Sequence, residues 1–296
     1  MSPIRRKFID YLRLRGLAEA TVRNYDQYVS LCARHAGRSP LKLTHADIGR
    51  YLLHMKEKHR CAPKTINLAF YSLRSFCTRF LPGKRIMAGF SRMKEPVNVP
   101  LVLSRKEIER LTASCPNIKT RALITLLYSS GIRVGECSRL LLSDVDSDRM
   151  TLRITQGKGG RDRFAVLSKR ALVLLRKYYR TAKPRRWLFE NRKHTLPLTR
   201  RRIQQVVSMA GKDARIAKPV SSHILRHSFA THLLEAGKPL QGIQLLLGHT
   251  TIRSTIVYTH VSVQLLNSIG SPYDEPERHE GKKQDAACEA FLGSVE

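Results

Sequence analysis

The stretch HILRHSFATHLLEAGKPLQGIQLLLGHTTIRSTIVYTHVS, residues 223–262, decides the fold. It places His223 three positions before Arg226, then His249 after 23 more positions and Tyr258 after a further nine. Residues three apart lie on one face of a helix, so His223 and Arg226 are predicted to share a face. A tyrosine in a helix is usually half-buried packing, and Tyr258 alone indicates nothing about function.

Two segments upstream add charged groups in unusual places. Residues 130–136, SGIRVGE, put Arg133 and Glu136 just after a glycine. Lys158 lies in the turn Gln156-Gly157-Lys158-Gly159-Gly160, whose glycines tolerate positive φ. Each segment by itself also fits an ordinary surface, as a helical ion pair or an exposed turn lysine.

The turn that holds Lys158 joins two runs of alternating residues, 151–155 and 162–167, and predicts a β-hairpin. In the first run Leu152 and Ile154 are expected to face one way, and in the second Phe164 and Val166 likewise.

The remaining chain is predicted to be mainly helical. Thr44 with Asp47, and Ser104 with Glu107, fit capping boxes at helix starts. Pro63 suits a first helical position. The first region therefore predicts a bundle of about four helices, and the run 121–130 predicts a buried helix that Gly131 ends.

The charge of the chain indicates a polyanionic partner. Its 54 Lys and Arg residues outnumber 23 Asp and Glu, for a net charge of +31. Residues 1–95 carry +14, residues 96–270 carry +21 and residues 271–296 carry −4. Two successive basic regions favour nucleic acid, while a basic ribosome-associated protein and a membrane-surface protein are the alternatives.

The six cysteines form no C-x-x-C pair and are interpreted as reduced thiols of a cytosolic protein. No apolar run reaches the roughly 18 residues of a membrane span, and no secretory apolar core follows the basic start. The predicted location is cytoplasmic, associated with the nucleoid.

Taken together and in order, these segments resemble the tyrosine recombinase (phage integrase) family, especially its bacterial Xer-like members. The resemblance covers roughly residues 5–270 and is strongest in the second region. Gly135 stands where the family commonly has Ser.

The resemblance implies a mainly α (α+β) architecture. An N-terminal helical, SAM-like core-binding domain is expected at residues 1–85 and a basic linker at 86–100. A mostly helical catalytic domain with a small β-hairpin or sheet follows at 101–270, and an acidic tail at 271–296.

The resemblance also implies the reaction, a site-specific recombination through a 3′-phosphotyrosyl intermediate. Tyr258 is the expected nucleophile, and His223 the residue that assists its proton transfer. Arg133 and Arg226 are expected to hold the oxygens of the scissile phosphate, because the arginine fork binds phosphate in a bidentate way.

Three further roles follow from the same resemblance. His249 is expected to hydrogen-bond the phosphate, Lys158 to protonate the leaving 5′ oxygen, and Glu136 to support the arginines. No metal, ATP or other cofactor is expected. A metal site at His223 and His227 is the rival hypothesis, although no HExxH glutamate is present.

The expected partner is double-stranded DNA with specific recombination sites, bound by a homotetramer that joins two sites. A type IB topoisomerase and a catalytically inactive DNA-binding protein remain alternatives. The tail suggests an anchor at residues 290–292 that packs on a neighbouring protomer, against a disordered acidic end. Integration, excision, resolution and transposition are all compatible with this reaction.

Overall fold

The computed structural model describes residues 2–81, 86–96, 100–155 and 162–248. The chain divides into two compact units, Met1–Asn98 and Val99–Glu296. Each unit has its own apolar core.

In its described residues, the first unit is a bundle of four α-helices: α1 (Pro3–Leu14), α2 (Glu19–Ala36), α3 (His45–Glu57) and α4 (Pro63–Arg74). A short 3₁₀-helix lies at Pro40–Lys42, and α4 continues as a π-helix over Ser75–Phe80. The predicted number of helices is confirmed.

Local signals account for where these helices begin. The capping box at α3 is present: Thr44 Oγ1 accepts from the Asp47 main chain at 3.2 Å, and Asp47 accepts from the Thr44 main chain at 3.0 Å. Pro63 occupies the first position of α4, where its missing N–H costs nothing.

Aromatic packing fills the core of the first unit. The ring of Phe8 lies 5.0 Å from that of Phe76 and 5.3 Å from that of Phe80, between ring centroids. Residues that the sequence assigns to the linker also contact this core. Met87 is buried there, and the Asn67 side chain exchanges two hydrogen bonds with the Met93 main chain. The domain limits themselves stay a prediction.

The second unit is mostly helical around a small sheet. Its helices are α5 (Arg105–Ala113), α6 (Ile118–Ser130), α7 (Val134–Arg139), α8 (Lys169–Ala182), α9 (Arg200–Asp213), α10 (Ser222–Glu235) and α11 (Leu240–Leu247). Its strands are β1 (Val145–Asp146), β2 (Thr151–Ile154) and β3 (Arg163–Val166), and a 3₁₀-helix lies at Leu142–Asp144.

The sheet is antiparallel, in the order β1-β2-β3. Leu152 and Ile154 are buried as a pair, as alternation predicts. On β3, however, Phe164 is 60% exposed and Val166 37% exposed, while Ala165 is buried. Alternation fixes which residues share a face, but the register that pairs Leu152 with Ala165 decides which face meets the core.

Helix α6 runs through the core and ends as predicted at Gly131, whose φ is +61°. A Cβ at this position would lie 2.3 Å from the Phe229 ring. Gly131 is therefore required both for the left-handed turn and for close approach to α10.

Five of the six cysteines lie in the described residues, and none of these five forms a disulfide bond. Cys288 lies outside them. Within the described ranges, no helix is long and apolar enough to cross a membrane.

Candidate functional site

Helix α10 presents the first group of predicted site residues. Its N-cap is Ser221, whose side chain accepts a hydrogen bond from the Ile224 main chain. The helix then exposes His223 to solvent and buries Arg226, one turn further on. A 5% exposed guanidinium needs partners, because an unpaired buried charge is strongly unfavourable.

The guanidinium of Arg226 donates hydrogen bonds to two main-chain carbonyls. Its Nη1 donates to the Gly131 carbonyl at 2.5 Å and its Nη2 to the Leu247 carbonyl at 2.6 Å. These carbonyls lie at the C-terminal ends of α6 and α11, where helices leave carbonyls without intrahelical partners. Arg226 thus joins the ends of two helices.

Arg133 lies just before α7, and its guanidinium also reaches the C-terminal end of α11. Its main-chain N–H and its Nη1 both donate to Glu136, at 2.8 and 3.0 Å. Its Nη2 donates to the Gly248 carbonyl at 3.1 Å. The Arg133 side chain stays 24% exposed to solvent.

Glu136 is buried beneath these groups and receives two more hydrogen bonds, from Nη1 and Nη2 of Arg163 at 2.8 Å each. Burial alone would raise the pKa of this carboxyl. The hydrogen bonds from Arg163 and from the Arg133 main chain, together with both positive charges, lower its pKa to about 2. Glu136 is therefore a fixed negative charge at neutral pH and does not exchange protons there.

The two arginines converge at the end of α11. Arg226 binds the Leu247 carbonyl and Arg133 binds the next one, Gly248. Both guanidiniums are therefore held by the carbonyls of two consecutive residues at one helix end.

The structure therefore brings together Arg133, Glu136 and Arg226, with His223 one turn from Arg226 on α10. The other three predicted site residues, Lys158, His249 and Tyr258, lie outside the described residues.

His227 borders this cluster and is half-buried. Burial lowers its pKa, and the neighbouring His223 and Arg226 lower it further. Among the described residues, no group of three or more His, Cys, Asp or Glu side chains could hold a metal ion.

Arg163 is a site contact that the sequence reasoning missed. Its only sequence signal is a basic residue at the end of the GKGGRDR turn, among many basic residues. The ion pair with Glu136 joins residues 27 positions apart, so neither helical nor strand periodicity could have predicted it.

Comparison with known proteins assigns both units to one family. Residues 102–264 match the phage integrase family, and residues 4–84 match the N-terminal SAM-like domain of phage integrases. Protein y4qK of Sinorhizobium fredii, described as an integrase/recombinase, is 35% identical over 93% of this chain and 89% of its own length.

Two further similarities extend this result. Tyrosine recombinase XerA of Pyrococcus horikoshii is 31% identical over 90% of this chain and 91% of its own length. The crystal structure of a lambda integrase tetramer bound to a Holliday junction matches with a TM-score of 0.68 at 20% identity, covering 84% of this chain and 75% of that one. This last similarity shows the fold.

Proposed function

This chain belongs to the phage integrase family and is a site-specific tyrosine recombinase of the Xer type, which cleaves and rejoins DNA; we propose that Tyr258 is its nucleophile. The observation that carries the proposal is the convergence of Arg133 and Arg226 on the consecutive carbonyls of Leu247 and Gly248. The next residue along the chain is His249, and Tyr258 follows nine positions later.

The proposed reaction exchanges one phosphate ester for another. The Tyr258 oxygen attacks phosphorus, a tyrosine–phosphate bond forms at the 3′ end, and the bond to the 5′ oxygen breaks. Attack of a partner strand's 5′ hydroxyl on this intermediate reverses the exchange. Because the number of phosphate ester bonds is unchanged, rejoining needs no ATP.

The phenol of tyrosine has an ordinary pKa near 10 and must lose a proton to attack. His223, which is solvent-exposed at the start of α10, is proposed to assist that transfer. Lys158 is proposed to give a proton to the departing 5′ oxygen.

The arginines are proposed to stabilise the charge that grows on the phosphate oxygens in the transition state. The carbonyl oxygens of Leu247 and Gly248 are hydrogen-bond acceptors, as phosphate oxygens are, and both guanidiniums already orient donors towards such acceptors. His249 is proposed to add a third contact. Glu136 supports this arrangement by fixing Arg133.

DNA is the partner of this family, and its members work as multimers on it, as the lambda integrase tetramer illustrates. For this chain we propose a homotetramer that joins two recombination sites and associates with the nucleoid. The net charge of +31 supports extensive phosphate contacts.

The test traps the covalent intermediate. A nicked duplex is selected for binding from DNA that flanks the protein's own gene, and it is incubated in EDTA with wild type, Tyr258→Phe and Tyr179→Phe. Tyr179 is an exposed tyrosine on α8 and serves as the control. Wild type and Tyr179→Phe should form an adduct that resists denaturation, and Tyr258→Phe should bind the duplex without forming one.

An adduct that persists in Tyr258→Phe would contradict the proposal. Relaxation of a supercoiled plasmid that lacks the selected site would favour the topoisomerase alternative.

A further inference from the structure

Arg163 begins strand β3, and its guanidinium is directed inward rather than towards solvent. The side chain is 13% exposed, whereas its neighbour Phe164 is 60% exposed. Both terminal nitrogens bond Glu136, one to each carboxylate oxygen. This is the bidentate geometry that gives arginine its specificity for carboxylates.

The carboxylate of Glu136 is fully used. Oε1 accepts from Nη1 of Arg133 and Nη1 of Arg163, and Oε2 accepts from the Arg133 main chain and Nη2 of Arg163. A carboxylate has about four lone-pair positions. Arg163 supplies half of the donors that hold Glu136 in this orientation.

Arg163 also reaches the end of α11. Its Nε donates to the Leu246 carbonyl at 3.3 Å. A Cβ on Gly248 would lie 2.8 Å from Nε and Cδ of Arg163, so the glycine allows the arginine to pass against this turn. Three consecutive carbonyls, of Leu246, Leu247 and Gly248, thus accept from Arg163, Arg226 and Arg133.

We propose that Arg163 is a positioning residue of the recombination reaction. It holds the Glu136 carboxylate that orients Arg133, and it fixes the C-terminal end of α11, from which the chain continues to His249. Arg163 itself does not touch the DNA phosphate. This inference rests on the proposed function, because the proposed function assigns Arg133 to the scissile phosphate.

A neighbouring strand supplies a matched control. Arg153 on β2 donates through Nε to the buried Asp144 at 3.1 Å. Asp144 also accepts from the Leu141 main chain at 2.9 Å, much as Glu136 accepts from that of Arg133. The Arg153 side chain is 54% exposed. Its hydrogen bond to Asp144 involves none of Arg133, Glu136, Arg163 and Arg226. Its loss removes a strand arginine from a buried carboxylate and leaves the hydrogen bonds of Arg133, Arg163 and Arg226 in place.

The experiment compares Arg163→Gln, Arg163→Lys and Arg153→Gln with wild type. Three quantities are measured: the single-turnover rate of adduct formation at saturating DNA, the Kd for the same duplex, and the melting temperature. Arg163→Gln should lower the rate by about 10²-fold, as expected when a reacting group shifts by ~1 Å. Its Kd should stay within about threefold of wild type, because most affinity comes from other phosphate contacts.

The conservative variant separates positioning from bulk stability. Arg163→Lys keeps the positive charge, but a lysine cannot bond both oxygens of Glu136 and the Leu246 carbonyl as a planar guanidinium does. Its rate of adduct formation should therefore recover only partly, to about tenfold above that of Arg163→Gln. Arg153→Gln should cleave within about twofold of wild type, because Arg153 bonds Asp144 and not Glu136. If Arg163→Gln does not fold, the rate of Arg163→Lys decides, and it should still lie about tenfold below wild type.

Two results would overturn the inference. One is an Arg163→Gln or a folded Arg163→Lys that cleaves as fast as wild type. The other is an Arg153→Gln that loses as much rate as Arg163→Gln. Failure of the proposed function would look different: wild type itself would bind the duplex and form no adduct, and the inference would fall with it.

Discussion

Two buried carboxylates, Asp47 in the first unit and Glu136 in the second, have the same local role. Each stands three positions after a residue whose main-chain N–H it accepts, at 3.0 Å for Asp47 and 2.8 Å for Glu136. Hydrogen bonds and arginine charges lower the pKa of each to about 2 against the effect of burial. Both therefore stabilise the start of a helix as anions.

Their arginine partners differ. Asp47 pairs with Arg38 and Arg50, whose side chains are 52% and 67% exposed. Glu136 pairs with Arg133 and Arg163, which are largely buried and also bind the end of α11. The comparison separates a helix cap with exposed charged partners from one whose charged partners are buried and shared with a second helix.

The largest effect on the reaction rate is expected at Arg226, whose guanidinium joins the ends of α6 and α11. Arg226→Lys keeps a positive charge but cannot bond the carbonyls of Gly131 and Leu247 as a planar fork does. Adduct formation at saturating DNA should slow by about 10³-fold, the cost of one preorganised donor group in the transition state. Single-turnover kinetics measures this, and a rate within tenfold of wild type would remove Arg226 from the proposed phosphate contacts.

A smaller effect is expected from two glycines that end helices, Gly37 in the first unit and Gly131 in the second. Both have positive φ, but a Cβ would meet nothing within 4 Å at Gly37 and the Phe229 ring at Gly131. Gly37→Ala should reduce the free energy of unfolding by about 1 kcal/mol, and Gly131→Ala by about 3 kcal/mol, since crowding adds to the backbone cost.

Urea unfolding of both glycine variants measures the difference. Equal losses would show that the close approach of Phe229 to Gly131 does not limit packing around the site.

The last prediction concerns pH. A carboxyl with a lowered pKa stabilises the folded chain above its unfolded pKa, near 4.3, and this stability is lost as pH falls towards about 2. Between pH 5 and pH 2.5 the free energy of unfolding should fall by about 2 kcal/mol less in Glu136→Gln than in wild type.

Asp47→Asn should weaken the same pH dependence, because the pKa of Asp47 is lowered as well. The two variants should differ in activity at pH 7: Glu136→Gln slows adduct formation, and Asp47→Asn leaves it unchanged. Cleavage by Asp47→Asn that is as slow as that of Glu136→Gln would mean that losing a helix cap, and not losing the orientation of Arg133, slows the reaction.

The sequence predicted those parts of the fold that depend on neighbouring residues. The capping boxes at Thr44 and Ser104, Pro63 at the start of α4 and Gly131 at the end of α6 are all confirmed. Each requires only contacts within a few positions of the chain, where residue type and spacing are informative.

Contacts across long stretches of chain were not predictable in this way. Arg163 reaches Glu136 only because β3 packs against α6 and α11, and which face of β3 meets the core depends on its register with β2. The motif spacings led to Arg133, Glu136 and Arg226, and the structure brings these three together. The roles proposed for them, and for Lys158, His223, His249 and Tyr258, stay predictions.

The central claim, that Tyr258 forms the covalent bond to DNA, is tested most directly by locating that bond. The trapped adduct is digested with a nuclease and a protease, and the modified peptide is sequenced by mass spectrometry. The account predicts one nucleotide attached through its 3′ phosphate to Tyr258. A nucleotide on any other residue, or one attached through a 5′ phosphate, would contradict it.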